Sequence, residues 1–197
     1  MKYSEDLTSS QRRKILTLLL CCLAAAGAVA GSVYSAAKGG ALPVRIHQYF
    51  LPETGSAVLR TMLHTMLSSA VFIAIAYYFG LSAFGQPLGI ALIVYRGFGI
   101  GAASAALYSA YGSSAVLKVL VLLLPKALAV TLVSVLAVRE LMRASQCVLR
   151  FWTYGGIPDE RSADLRRYSL KFAVLMLISL LISLADGAVF ALYCHFS

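Results

Sequence analysis

Gly80-Leu81-Ser82-Ala83-Phe84-Gly85-Gln86-Pro87 opens the stretch that decides the fold, which continues through Tyr95-Arg96-Gly97-Phe98-Gly99-Ile100-Gly101 and ends at Leu124-Pro125-Lys126. Between these landmarks lie two apolar runs of membrane length joined by the tight connection Tyr111-Gly112-Ser113-Ser114. Deep in each run sits a cation, Arg96 or Lys126, where lipid would otherwise be met. A charge at that depth is costly unless it turns to the protein interior and finds a partner. The pattern predicts a hairpin at the centre of an all-α polytopic membrane protein.

Composition agrees. Hydrophobic residues make up 60% of the 197, charged residues 13%, and the mean hydropathy is +0.81. These values lie well to the apolar side of globular usage. The helices have only each other to pack against, so residues 1–197 are read as a single membrane domain. A net charge of +9 would suggest nucleic acid in a soluble protein. In an apolar chain it is better explained by loops facing anionic lipid, and nucleic acid is excluded as a partner. Cys21, Cys22, Cys147 and Cys194 lie in or beside apolar runs without ligand-like spacing, which argues against disulfides and a metal cluster.

Working outward, Arg12-Arg13-Lys14 precede a first span over 15–37 that is Leu-rich and then rich in small residues, including Gly27-x-x-x-Gly31. A basic start before an apolar run also describes a signal peptide. This run is longer than a signal core, and at ~1.5 Å per residue it crosses a ~30 Å hydrocarbon layer, so an uncleaved span is preferred. Residues 38–53 are irregular, with Pro43 and Pro52 as breakers. From Thr54 a helical period places Thr61, His64, Thr65 and Ser68 on one face, leading into a second span over 65–79. That face either holds a polar site including His64 or simply turns toward the bundle or the water interface.

The third span is expected over 88–108, with Pro87 suited to its first turn. Gly97-x-x-x-Gly101 offers a smooth face to a neighbouring backbone and lowers the cost of a kink. The fourth covers 115–138, with a bend near Leu122–Pro125 because proline lacks an amide hydrogen and crowds the preceding turn. Over 139–152 a helix would align Arg139, Arg143, Gln146 and Arg150 within about 60°, opposite Leu141, Met142, Val148, Leu149 and Trp152. That pattern predicts an interfacial helix on an anionic membrane surface. The last span covers 172–193 and contains Asp186.

Charge sets the expected topology. The amino-terminal cluster and the seven Lys or Arg of 139–171 (Arg139, Arg143, Arg150, Arg161, Arg166, Arg167, Lys171) should both face the cytoplasm. Five spans put them on one side, with 38–64, 109–114 and the carboxyl terminus outside; four spans would separate them. By residue counting, Arg96 lies ~12 Å deep from the inner side, Asp186 ~20 Å from it, and Lys126 within ~5 Å of Asp186 in height. A Lys126–Asp186 contact is therefore expected. Arg96–Asp186 is the competitor, and Arg96 could instead snorkel inward or bind carbonyls freed by the glycine kink. The interior pair either fixes helix register or marks an ion or substrate path.

Gly80-x-Ser82-x-x-Gly85-x-Pro87, the apolar run, Arg96-Gly97-x-x-x-Gly101 and Leu124-Pro125-Lys126 together resemble the stage II sporulation protein M family of bacterial integral membrane proteins. In that family a basic residue followed by glycine, and a Leu-Pro pair followed by a polar residue, occupy the corresponding positions. The close match covers about a quarter of the chain; the rest agrees in layout. The resemblance implies a non-enzymatic scaffold in the bacterial cell membrane. The family's namesake anchors and localises an amidase and a lytic transglycosylase during engulfment. Such peptidoglycan hydrolases would be met by the external Lys38–His64 segment.

No catalytic constellation competes with this reading. There is no HExxH, and only His47, His64 and His195 occur. Ser82 lacks the context of an intramembrane serine protease, and Asp186 is the one carboxylate within a span, which excludes a two-aspartate protease. Gly97, Gly99 and Gly101 lack the strand–turn–helix setting of a nucleotide fingerprint. No enzyme activity, cofactor or metal is expected. The alternative is a transporter or permease subunit with a polar path near Arg96, Lys126 and Asp186. It would lack an inverted repeat, and a homo-oligomer could enclose the path.

Overall fold

The computed structural model describes residues 2–37, 58–112, 123–154 and 158–196. Within these the fold is helical: α1 (Lys2–Ala37), α2 (Val58–Gly80), α3 (Gly85–Tyr111), α4 (Leu124–Tyr154) and α5 (Pro158–Phe196). Among the described residues, three stretches are long and apolar enough to cross a membrane: Lys14–Ala37, Gly85–Ser109 and Leu165–Val189. Thr65–Gly80 is a shorter apolar helix. The chain is a membrane protein. Its exterior is oily, with Leu18, Leu67, Leu132 and Leu177 each more than 60% exposed. Its interior contains hydroxyls, with Ser35, Thr65, Ser69, Ser134, Ser145, Ser179 and Ser183 buried. That is the reverse of a soluble core, and it suits helices whose outer faces meet lipid.

Contacts fix the helix directions. Ala24 and Ala28 of α1 back onto Gly97 and Gly101 of α3 in the same order, so these helices run parallel. Gly85 and Gly89 of α3 lie against Ser145 and Leu141 of α4, an antiparallel pair. Tyr77 and Thr65 of α2 meet Ser169 and Asp186 of α5, again antiparallel. Hence α1, α3 and α5 point one way, and α2 and α4 the other. Lys14, Arg139, Arg143 and Lys171 consequently share one end of the bundle.

Reciprocal small-residue packing joins α1 to α3. A Cβ on Gly27 would strike the carbonyl of Val94, and one on Gly31 that of Phe98. A Cβ on Gly97 or Gly101 would strike the carbonyl of Ala24 or Ala28. Both Gly-x-x-x-Gly pairs thus serve the same contact, which neither could make with a side chain in the way. Ser32 adds a shared hydroxyl donor to Ala28 O at 2.9 Å and Gly101 O at 3.1 Å. Tyr34 and Phe98 close the seam at 5.7 Å between ring centroids. α1 is a structural member of the bundle, with Leu20 and Ala24 in its main core.

The Gly80–Pro87 turn follows from its residues. Leu81, Ser82 and Gly85 donate backbone bonds to Tyr78, Phe79 and Ser82, and the Ser82 hydroxyl accepts from Phe84 N–H at 3.3 Å. Gly80 leaves room for the Tyr168 hydroxyl, and Gly85 for Ser145. Tyr168 in turn donates to Tyr77 O at 3.0 Å and stacks on the Tyr77 ring at 5.2 Å, with Phe172 4.7 Å beyond. Pro87 occupies the first turn of α3, where its missing amide hydrogen leaves no intrahelical bond unmade. At the far end Gly112 takes φ 58°, and its N–H caps Tyr108 O.

The structure corrects the reading of 139–152. Leu124–Tyr154 is one unbroken helix, so no separate interfacial element begins at Arg139. Val138 and Leu141 are fully buried and Met142 nearly so, because Val138 and Leu141 pack on Gly89 of α3, and Leu141 also on Gly80 of α2, where an interfacial helix would face acyl chains. Within 139–152 the last turns are open, with Leu149 half-exposed and Trp152 81% exposed. Likewise, the charged residues counted as a loop from Pro158 onward begin helix α5. The expected bend at Leu122–Pro125 lies partly outside the described residues, as do 38–57 and most of the link between α3 and α4.

The α1–α3 seam carries a direct test. Gly101→Val should lower stability by about 3 kcal/mol or more, since overpacking against a backbone carbonyl cannot relax by a rotamer change. Ala25→Val, on the exposed side of α1, should be near neutral. Thermal unfolding in detergent distinguishes the two.

Candidate functional site

Asp186 on α5 is held inside the bundle by donors from two other helices. Its Oδ2 accepts from Lys126 Nζ of α4 at 2.8 Å and from Thr65 Oγ1 of α2 at 2.6 Å. The Lys126 and Asp186 side chains are 10% and 9% exposed. The contact expected from residue counting is present, and Thr65 joins it through the polar face of α2. Close by, the Ser183 hydroxyl donates to Met62 O at 2.5 Å, and Gly187 admits the Met62 side chain. Three helices therefore meet at one carboxylate. In such surroundings the ions attract strongly, and removing one leaves the other buried without compensation.

Arg96 does not compete for Asp186. One turn along α2 from Thr65, the Ser68 hydroxyl accepts from Arg96 Nη1 at 2.8 Å and the Ser69 hydroxyl from Nη2 at 3.5 Å. The guanidinium carbon lies 5.3 Å from the centroid of the Phe72 ring, in cation–π range. The sequence reading sent Arg96 toward the membrane surface or toward kink carbonyls; here α2 supplies the hydroxyls and the ring. Alongside, a cleft of about 340 Å³ opens between α2 and α3, with Leu67, Val71, Leu92 and Tyr95 among its walls.

A third cluster sits at the cationic end and was missed in the sequence. Glu140, with its side chain 10% exposed, accepts from Arg143 Nη1 at 2.9 Å and from Lys171 Nζ at 2.7 Å, with Arg139 at 3.5 Å. Burial alone would raise the Glu140 pKa. The Lys171 hydrogen bond and the three surrounding cations outweigh it and hold the carboxyl below its ordinary value. The overlooked signal was a lone acid three residues before an arginine, inside an otherwise apolar or basic run. Arg139 and Arg143, expected as an open membrane-facing stripe, instead bend toward this acid. The side chain of Arg150 and that of His64 lie outside the described residues.

The two ion pairs share a logic. Lys126 and Glu140 are fourteen residues apart on α4, ~21 Å; Lys171 and Asp186 are fifteen apart on α5, ~22 Å. The acid is on α5 at one end and on α4 at the other. A slip of one turn between these antiparallel helices would break both contacts together.

Of the sequence-derived motif residues, Gly97 and Gly101 contact α1, Gly80 contacts α5, and Gly85 contacts α4. Ser82 stays within its turn. Pro125 lies beside Lys126 at the start of α4 and is exposed. Chemically the arrangement offers three separate charged clusters, all bound into helix contacts, with one open cleft beside Arg96. Compared with known proteins, the chain matches no family model, no curated protein and no solved structure.

Two outcomes are expected. Lys126→Met and Asp186→Leu should each cost about 3–5 kcal/mol, and the double variant much less than their sum, because it removes both ions together. Unfolding of the four proteins in one detergent gives the coupling. For Glu140 the folded-state pKa is depressed, so its contribution is complete above the ordinary carboxylate value and is lost as pH falls through the folded one. The stability gap between wild type and Glu140→Gln should be open at neutral pH and narrow as pH falls below the ordinary carboxylate range. A pH series of thermal midpoints measures it.

Proposed function

We propose that this chain is a non-enzymatic integral membrane scaffold that anchors peptidoglycan-remodelling partners in a bacterial plasma membrane. The observation that carries the reading is how the motif residues are used. Gly80, Gly85, Gly97 and Gly101 are occupied in close helix contacts, and Lys126 in an ion pair. A rigid platform needs such positions. An enzyme would instead need a nucleophile or acid–base pair turned toward an open pocket.

The helix directions support five crossings, with the amino terminus and the Arg139–Lys171 region cytoplasmic and the carboxyl terminus outside. Glu140 and its cations then lie near the inner surface, and Asp186 ~21 Å farther along the bundle. Residues 38–57 fall on the wall-facing side in this arrangement. A second reading, a transporter or permease subunit, draws on the row Thr65, Ser68, Ser69, which links the Asp186 pair to Arg96 by hydroxyls.

Affinity capture of the tagged chain from native membranes, followed by mass spectrometry, separates the two. The scaffold reading expects an amidase or transglycosylase acting on peptidoglycan among the enriched proteins. Enrichment of a transport ATPase without wall hydrolases would overturn it in favour of the second reading.

A further inference from the structure

Glu140 is outnumbered at the end of the α4–α5 seam. Arg139, Arg143 and Lys171 all meet its one carboxylate, so the cluster keeps a surplus of positive charge. The surrounding sequence does not cancel it: over 139–171 seven Lys or Arg stand against four acids, Glu140, Asp159, Glu160 and Asp164. Nor are the cations sealed off. The Lys171 side chain is 51% exposed and that of Arg143 35%. Arg167, one turn before Lys171, is exposed and joins no ion pair among the described residues.

Beyond the charges both helices turn oily on the same side. At the ~3.6-residue period, Arg167, Lys171, Val174 and Leu181 fall within about 80° on α5, and Arg143, Arg139, Leu132 and Leu128 within about 60° on α4. Ser169 and Gly187, which meet α2, lie on the opposite flank of α5, as do Val138 and Leu141, which meet α3, on α4. The two flanks therefore border one outer face, and its four aliphatic side chains are each more than half exposed. From Lys171 to Leu181 is ~15 Å, and from Arg139 to Leu128 ~16 Å. One leaflet of a ~30 Å hydrocarbon layer has that depth. We infer that this face binds one anionic phospholipid, its phosphate among Arg143, Arg167 and Lys171 and its acyl chains along Leu132 and Val174. Such a site would stand whatever the chain anchors.

Other occupants fit less well. A second copy of this chain would bring its own cationic cluster against this one. Inorganic phosphate or an acidic peptide could meet the cations, but neither gives a reason for the aliphatic flanks below them. A phospholipid offers both parts in the order the seam presents them, charge first and hydrocarbon after. Basic pockets between helices at the membrane surface are where anionic headgroups are held. Glu140 prepares this one: by drawing Arg143 and Lys171 to a single carboxylate it sets the two donors side by side.

The test uses the full chain in dodecyl maltoside, with native mass spectrometry counting bound lipid. The first dioleoylphosphatidylglycerol should bind at least ~10-fold more tightly than the first dioleoylphosphatidylcholine, which has the same chains and no net charge. Arg167→Gln should cut that preference to about a third. Arg143→Gln combined with Arg167→Gln should abolish it, with thermal midpoints of both variants confirming the fold. Lys14→Gln, which removes an exposed cation from α1 at the same end, should leave it intact. Glycerophosphoglycerol, the headgroup without chains, should not displace the lipid at equal concentration. Equal affinity for the two lipids, a preference unchanged in Arg167→Gln, or an equal loss from Lys14→Gln would each overturn the inference. Displacement by glycerophosphoglycerol would overturn it too, since the site would then be one for a free phosphate.

Discussion

A carboxylate surrounded by hydrocarbon must be met by donors from its own protein, and at Asp186 that requirement fastens three helices together. Lys126 comes from α4 and Thr65 from α2, both to the same oxygen. The second acid, Glu140, repeats the arrangement at the cationic end with the helices' roles exchanged. Because the two contacts are nearly equally spaced along α4 and α5, they act as a pair of pins that permit one register. Replacing them with well-packed apolar residues need not weaken the bundle. What the ions supply is discrimination against shifted packings, the best-attested use of such groups.

Between helices already surrounded by lipid, burial of leucine gives little net gain, so close backbone approach and interior hydroxyls carry more of the association. The α1–α3 seam is built this way, with glycine facing carbonyl on both sides and Ser32 bridging the helices. The same economy explains the hydroxyl-lined interior and leucine-covered exterior. A bundle pinned by ions and glycine seams has little freedom to open. That rigidity is what the proposed scaffold role would ask of the chain.

Much of this was legible in the sequence, because depth in a membrane can be counted in residues. Counting brought Lys126 level with Asp186, and the polar face of α2 pointed inward at Thr65 and Ser68. Gly27, Gly31, Gly97 and Gly101 announced close contacts, but spacing alone does not say that the two glycine pairs meet each other. The stretch 139–152 misled because a basic stripe backed by Leu, Val and Trp looks the same whether its apolar side faces acyl chains or other helices. Leu141 and Val138 face helices. Glu140 was overlooked because one acid among cations changes the local charge little, although it organises where those cations point. Arg96 offered several outlets on paper, and only the position of α2 made Ser68 and Phe72 the ones used.

The account depends on odd-numbered helices rising from the basic end and even-numbered ones returning to it, since only then do Lys126 and Asp186 reach a common depth. Reporter fusions at the amino terminus, within 155–157 and at the carboxyl terminus, assayed in intact cells, measure this directly. The account predicts the first two reporters in the cytoplasm and the third outside. A result with the amino terminus and 155–157 on opposite faces of the membrane would contradict it.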